Sequence, residues 1–138
     1  AVVAGNTASA AVERVVDAFP STQQAQVRGM LAGCLRGVVA QVLCARTGGG
    51  RLAAFEVLLG TTAVQNLLRD GKTYQLDSAL TAGRKDGMVA LNDALVDLVK
   101  KKVVEPREAF LRSPDRAAIR GLLKPLGWEP TADLELGA

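Results

Sequence analysis

The 138 residues are 49% hydrophobic and 22% charged. That balance belongs to one globular domain, or a piece of one, and excludes a disordered chain. The net charge is +3, with a pI of about 9.1 and the basic residues scattered apart from Lys100-Lys101-Lys102, which is too weak to point to nucleic acid. There is no histidine, which removes Ser-His-Asp and Cys-His catalysis and most zinc sites.

Cys34 and Cys44 form no CxxC pair and read as two half-buried thiols in a reducing compartment. No signal peptide is visible. The most apolar run, Val38–Ala45, sits between Arg36 and Arg46 and is far short of the ~20 residues that span a bilayer. The chain opens at Ala1 without a methionine, as expected of a processed chain or of a piece cut from a longer one.

Ala1–Ala4 is expected to form a short buried strand, followed by a turn at Gly5-Asn6-Thr7. Thr7 or Ser9 then caps a helix whose apolar face is Val12, Val15, Val16 and Phe19, at i, i+3, i+4 and i+7. Pro20 ends it. Ser21 and Gln24 have capping-box spacing for a second helix, with the stripe Val27, Met30, Leu31, Cys34, Leu35, Val38 and Val39. Gly29, Gly33 and Gly37 recur on that helix at four-residue spacing. This marks a close helix or sheet contact, or incidental use of small residues, in about equal measure.

Gln41–Arg46 alternates like a strand, although a helix continuing through Ala45 fits the same residues. Thr47 and the glycines at 48–50 then turn the chain into a hairpin with Arg51–Leu59. After Arg51 that second segment is almost continuously apolar, broken only by Glu56, and reads as a strand covered on both faces.

Thr61 offers an N-cap hydroxyl to a short helix carrying Val64, Leu67 and Leu68, with Gly71 where a left-handed C′ residue belongs. Its outer face, Gln65, Asn66, Arg69 and Asp70, is the place to look for function. A further helix over Thr73–Ala82 is expected to bury Tyr74, Leu76, Ala79 and Leu80, and Gly83 stops it. Asp86 caps the next, with Met88, Leu91, Leu95, Leu98 and Val99 inward. Lys100-Lys101-Lys102 closes that helix, where cations suit the negative end of the dipole better than they suggest a phosphate patch. Pro106 opens a helix to Arg112. Ser113 and Pro114 do the same for Asp115–Lys124, and the tail after Pro125 ends acidic and loose.

Gly71-Lys72-Thr73 looks like the end of a phosphate loop, but Asn66 stands where the first glycine is needed and a helix, not a strand, precedes. Gly48-Gly49-Gly50-Arg51 is better placed, with Arg51 the candidate to reach a phosphate or carboxylate. Glu56, the one charge inside its strand past the leading Arg51, must be paired or solvated if buried. Arg36 or Arg69 are candidate partners in a structural ion pair. Asp93 and Asp97 read as a solvated face.

The ordered set TASAAVERVVDAFPSTQQAQVRGMLAGCLRGVVAQVL, GGGRLAAFEVLL and AVQNLLRDGKTYQLDSALTAGRKDGMVALNDALVDLV, closed by a helix ending Leu111-Arg112-Ser113, resembles the C-terminal half of the type IV pilus retraction ATPases. These are the PilT family of the secretion ATPase superfamily. The resemblance is collinear over roughly residues 3 to 116. Ala63-Val64-Gln65-Asn66-Leu67-Leu68-Arg69-Asp70 is similar to that family's AIRNLIRE coupling motif, and Gly48–Glu56 to its GGGRVAAxE segment.

The resemblance implies an α/β, helix-dominated fold. It would be the C-terminal portion of a RecA-like P-loop core, with a β-hairpin and about six helices. Residues 1–60 would belong to the core, 61–124 to a helical subdomain and 125–138 to a tail. It further implies a hexameric motor that hydrolyses ATP with magnesium and drives pilus retraction and twitching motility. The motor would act at the cytoplasmic face of the inner membrane, with the pilus machinery as partner and no nucleic acid. The family's Walker A and B segments fall outside the matched residues, so the chain by itself is expected to take no cofactor and to leave ATP intact. Gln65 replaces the motif's arginine, Asp70 its final glutamate, and Asn6 a histidine of the family's histidine box. The alternative is a free-standing helical adaptor that regulates such a motor.

Overall fold

The computed structural model describes residues 1–132 and 134, so part of the expected acidic tail lies outside the described residues. The chain forms two compact units that interleave in sequence, residues 1–41 with 55–90, and 42–54 with the chain from 91 onward. Among the described residues there are seven α-helices, against about six expected, and one antiparallel hairpin.

In the first unit, α1 (Ala8–Asp17) starts at Thr7, whose extended backbone lets its Oγ1 accept the Ala10 N–H at 3.2 Å. Val12 and Val16 are buried. Phe19 lies beyond the end of the helix, outside its periodicity, and is 42% exposed. Ala1–Ala4 forms no strand and is exposed, the sheet having two strands, β1 and β2, among the described residues.

The second helix, α2 (Ser21–Cys34), corrects the capping-box reading. Its N-cap is Pro20, which makes no side-chain cap, and Gln24 Nε2 donates to Phe19 O at 3.2 Å. The helix stops at Cys34, and Leu35 is extended, so Val38 and Val39 belong to a strand and not to the helical stripe. Met30 and Cys34 are exposed, and of the α2 residues Ala32 is the buried one. A methyl group at Gly29 or Gly33 would meet nothing within 4 Å, so these glycines make no close contact. Gly37 is in the strand, its Cβ position 3.0 Å from Leu58 O.

The hairpin pairs β1 (Gly37–Ala45) with β2 (Arg51–Leu59). The strand begins four residues before the expected one, at Gly37, because Val38, Val39 and Val42 favour a pleated backbone over a helix. Burial alternates along both strands, with Ala40 and Cys44 buried on β1 and Ala54, Glu56 and Leu58 on β2. Phe55, on the opposite face, is 46% exposed. The strand is therefore covered on one face, not two.

After the hairpin come α3 (Thr62–Arg69), a 3₁₀ turn at Thr73–Gln75 and α4 (Leu76–Ala82). The 3₁₀ turn rotates Tyr74 outward to 74% exposure, contrary to expectation, while Leu76 and Leu80 are buried. Gly83 ends α4 as expected. Asp86 caps nothing: it lies in a 3₁₀ turn, and Val89 forms an antiparallel bridge with Val57. That bridge holds residues 88–90 out of helix. The core of this unit is Ala8, Val12, Ala32, Leu58, Val64, Leu68, Leu76, Leu80 and Met88.

In the second unit, α5 (Leu91–Lys100), α6 (Pro106–Arg112) and α7 (Arg116–Leu123) bury Leu91, Leu95, Phe110, Ile119 and Leu123 around Cys44 and Ala54. Pro106 sits in the first turn of α6 as expected. The cap of α7 is Asp115, whose Oδ1 accepts the Ala118 N–H at 2.9 Å. Ser113 instead donates to Asn92 Oδ1 at 2.7 Å. Trp128 packs on Phe110 with ring centroids 5.5 Å apart.

Candidate functional site

The candidate surface is the outer face of α3, and the chain around it explains why an eight-residue helix is held so firmly. Such a helix is marginal alone, so its ends and its buried face must hold it. Thr61 Oγ1 accepts the Val64 N–H at 3.4 Å. At the other end Gly71 adopts φ +70°, where a Cβ would be strained. Its N–H reaches Leu68 O at 3.1 Å, and the Lys72 N–H reaches Leu67 O at 2.8 Å. Together these make a Schellman closure.

Of the eight motif residues, Val64 and Leu68 are core. Leu67 packs against that core half-buried, and Gln65 is half-buried. Ala63, Asn66, Arg69 and Asp70 are exposed. Arg69 Nη1 donates to Asn66 Oδ1 at 3.0 Å, and Lys72 Nζ stands 3.6 Å from Asp70 Oδ2. The face thus presents an amide and a guanidinium already oriented on one another, suited to a polar protein contact. Arg51 belongs to the other unit, exposed at the start of β2.

The run Gly71-Lys72-Thr73 does not fit a nucleotide phosphate. At Gly71-Lys72-Thr73 the first two amides are already committed to the carbonyls of α3, and the end of a helix that faces them is its negative end. Among the described residues no group of three or more carboxylates and thiols is placed to hold a metal ion.

Sequence patterns left two further features unread. Glu56 is 4% exposed, and its Oε1 accepts the Ala8 N–H in the first turn of α1 at 2.6 Å, where the helix dipole favours a negative charge. Its being the single charge inside the strand, past the leading Arg51, signalled burial but not the partner. Thr73 Oγ1 donates to Glu13 Oε1 at 2.8 Å, a pair sixty residues apart with no local signature.

In the second unit Glu108 Oε1 accepts the Ala45 N–H at 2.9 Å and the Arg112 Nε–H at 2.8 Å. Partial burial works to raise its pKa, but these two bonds outweigh it and hold the carboxyl below its usual value. Cys44, beneath them, is pushed up by burial and then by the Glu108 charge. Of the two thiols expected to be half-buried, this one is fully buried and Cys34 is exposed.

No protein-family model matches the chain. The type IV pilus retraction ATPase PilT of Pseudomonas aeruginosa is 42% identical over 106 residues, 75% of this chain and 31% of that protein. A twitching motility protein of Neisseria gonorrhoeae is 36% identical over 107 residues, 77% of this chain and 29% of that protein. The crystal structure of the pilus retraction motor PilT with bound ADP superposes with a TM-score of 0.72 at 36% identity, over 82% of this chain and 31% of that one. The chain spans about a third of the length of the curated relatives it matches.

The architecture is that of the C-terminal part of a RecA-like ATPase, helix-dominated with one hairpin. Within that class the chain is similar, over about three quarters of its own length, to the C-terminal part of the PilT type IV pilus retraction ATPases.

Proposed function

We propose that this chain is the force-transmitting C-terminal portion of a PilT-like motor whose ATP hydrolysis drives pilus retraction and twitching motility. In that motor residues 1–60 complete the RecA-like core, 61–124 form the helical subdomain and 125–138 the tail. The motor is a hexameric ring at the cytoplasmic face of the inner membrane, working on the pilus machinery. ATP and magnesium are bound elsewhere in the parent, and Arg51 is the residue of this chain that approaches the nucleotide. Ala63–Asp70 carries the coupling contact, in which Asn66 and Arg69 meet a neighbouring subunit.

One observation carries this reading: the exposed Asn66–Arg69 pair on a helix capped at both ends and anchored by Val64 and Leu68. A polar face on a rigid element transmits displacement, whereas one on a loose loop absorbs it. Among the described residues no helix is long and apolar enough to cross a membrane, which agrees with a motor that docks on a membrane machine.

The test is Arg69→Ala in the full-length parent. Ring assembly and ATP turnover are expected to persist while pilus retraction, measured as twitching-zone diameter, falls at least about ten-fold, as for loss of an interface arginine. Unchanged twitching with an intact ring would overturn the assignment of Arg69.

A further inference from the structure

The segment that contains the coupling helix is tied to α1 on either side of α3, while α3 itself packs chiefly against α2. Before α3, Glu56 on β2 accepts the Ala8 N–H of α1 at 2.6 Å. After α3, Thr73 donates to Glu13 of α1 at 2.8 Å. Ala8 and Glu13 are roughly one and a half turns apart on α1. The stretch from Glu56 to Thr73, α3 included, is therefore closed onto a short length of a single helix. Between the two ties, Ala8 and Val12 of α1 share a buried cluster with Val64 and Leu68 of α3.

Apolar packing alone is non-directional and leaves a short helix free to slide or roll. Two hydrogen bonds to carboxylates, one on either side, fix its register, and charge-assisted bonds are the stronger kind.

We propose that α1 is the bracket that positions α3, with Glu56, Glu13 and Thr73 as positioning residues, so that a displacement of α1 carries the coupling face with it. The inference rests on the reading of α3 as the coupling element and adds where its motion comes from. The segment that feeds α1 becomes the input, and the face of Asn66 and Arg69 becomes the output.

Amide hydrogen exchange on the 138-residue chain tests this without reference to motor activity, so its outcome is separate from that of Arg69→Ala. Glu56→Ala and Glu13→Ala are each expected to speed exchange of the α3 amides by about ten-fold or more, with the amides of α5 unchanged. Glu56→Gln keeps an acceptor oxygen and is expected to restore protection of α3. The proposal is overturned if only Ala8–Ala11 open while α3 stays protected, if α5 opens to the same extent, or if the glutamine variant behaves as the alanine does. Should Glu56→Ala not fold, the pair Glu13→Ala and Thr73→Val decides, because neither residue is in the core. Unchanged α3 exchange in both would then sink the bracket.

Discussion

Carboxylates in this chain differ in what they hold. Glu56 and Glu108 each accept a backbone N–H that would otherwise lack a partner, at the start of α1 and at the end of β1. Asp97 forms an exposed 2.6 Å pair with Lys101, of the kind that contributes little. Glu108 has the clearest consequence for pH. Its folded pKa lies below the ordinary value of 4.5, so the unfolded chain takes up its proton first as pH falls. The stability it contributes is complete above that ordinary value and is lost as pH drops through the lower, folded one. Thermal midpoints measured between about pH 6 and pH 2 are expected to show this loss, and Glu108→Gln is expected to flatten that part of the curve. A glutamine variant with an acid limb as steep as the parent's would contradict the assignment.

At the scale of the element, α3 is defined by its boundaries. Thr61→Ala removes the N-cap oxygen and is expected to cost about 1 kcal/mol. Gly71→Ala places a Cβ on a backbone at φ +70° and is expected to cost about the same. Gly60→Ala should cost more than either. A Cβ there runs into the Leu35 carbonyl oxygen, and Gly60 also donates to Arg36 O at 2.9 Å. The obstacle is backbone, so no side chain can swing away to relieve it. Urea-unfolding midpoints of the three variants check this order, and a Gly60→Ala midpoint above that of Thr61→Ala would refute it.

For the whole molecule, the similarity to known proteins and the local chemistry of the glycine-lysine-threonine run are two separate observations. The chain matches a third or less of relatives named as a retraction ATPase and a twitching motility protein. Its own glycine-lysine-threonine run spends its first two amides on closing α3. We therefore expect the 138 residues alone to release no phosphate from ATP and to show no heat of nucleotide binding by titration calorimetry. Saturable binding, or turnover above buffer, would mean that a cradle exists which neither Gly71 nor the turn at residues 48–50 accounts for.

The local signals in the chain were enough to define α3. A hydroxyl at Thr61, apolar residues at helical spacing and a glycine at position 71 each act within a turn or two of backbone, so they are readable without a fold. The same holds for Pro106 at the head of α6 and for the hairpin around the three glycines. The order of the longer segments likewise carried the resemblance, because a collinear run of motifs survives substitution. Tertiary structure alone decided which face of β2 is covered, that Val89 bridges to Val57 and so delays α5, and that Tyr74 turns outward. It also decided that Glu56 and Thr73 both close onto α1. Those outcomes depend on pairs far apart in sequence, and propensity and periodicity describe only near neighbours, so no pattern in the linear chain records them.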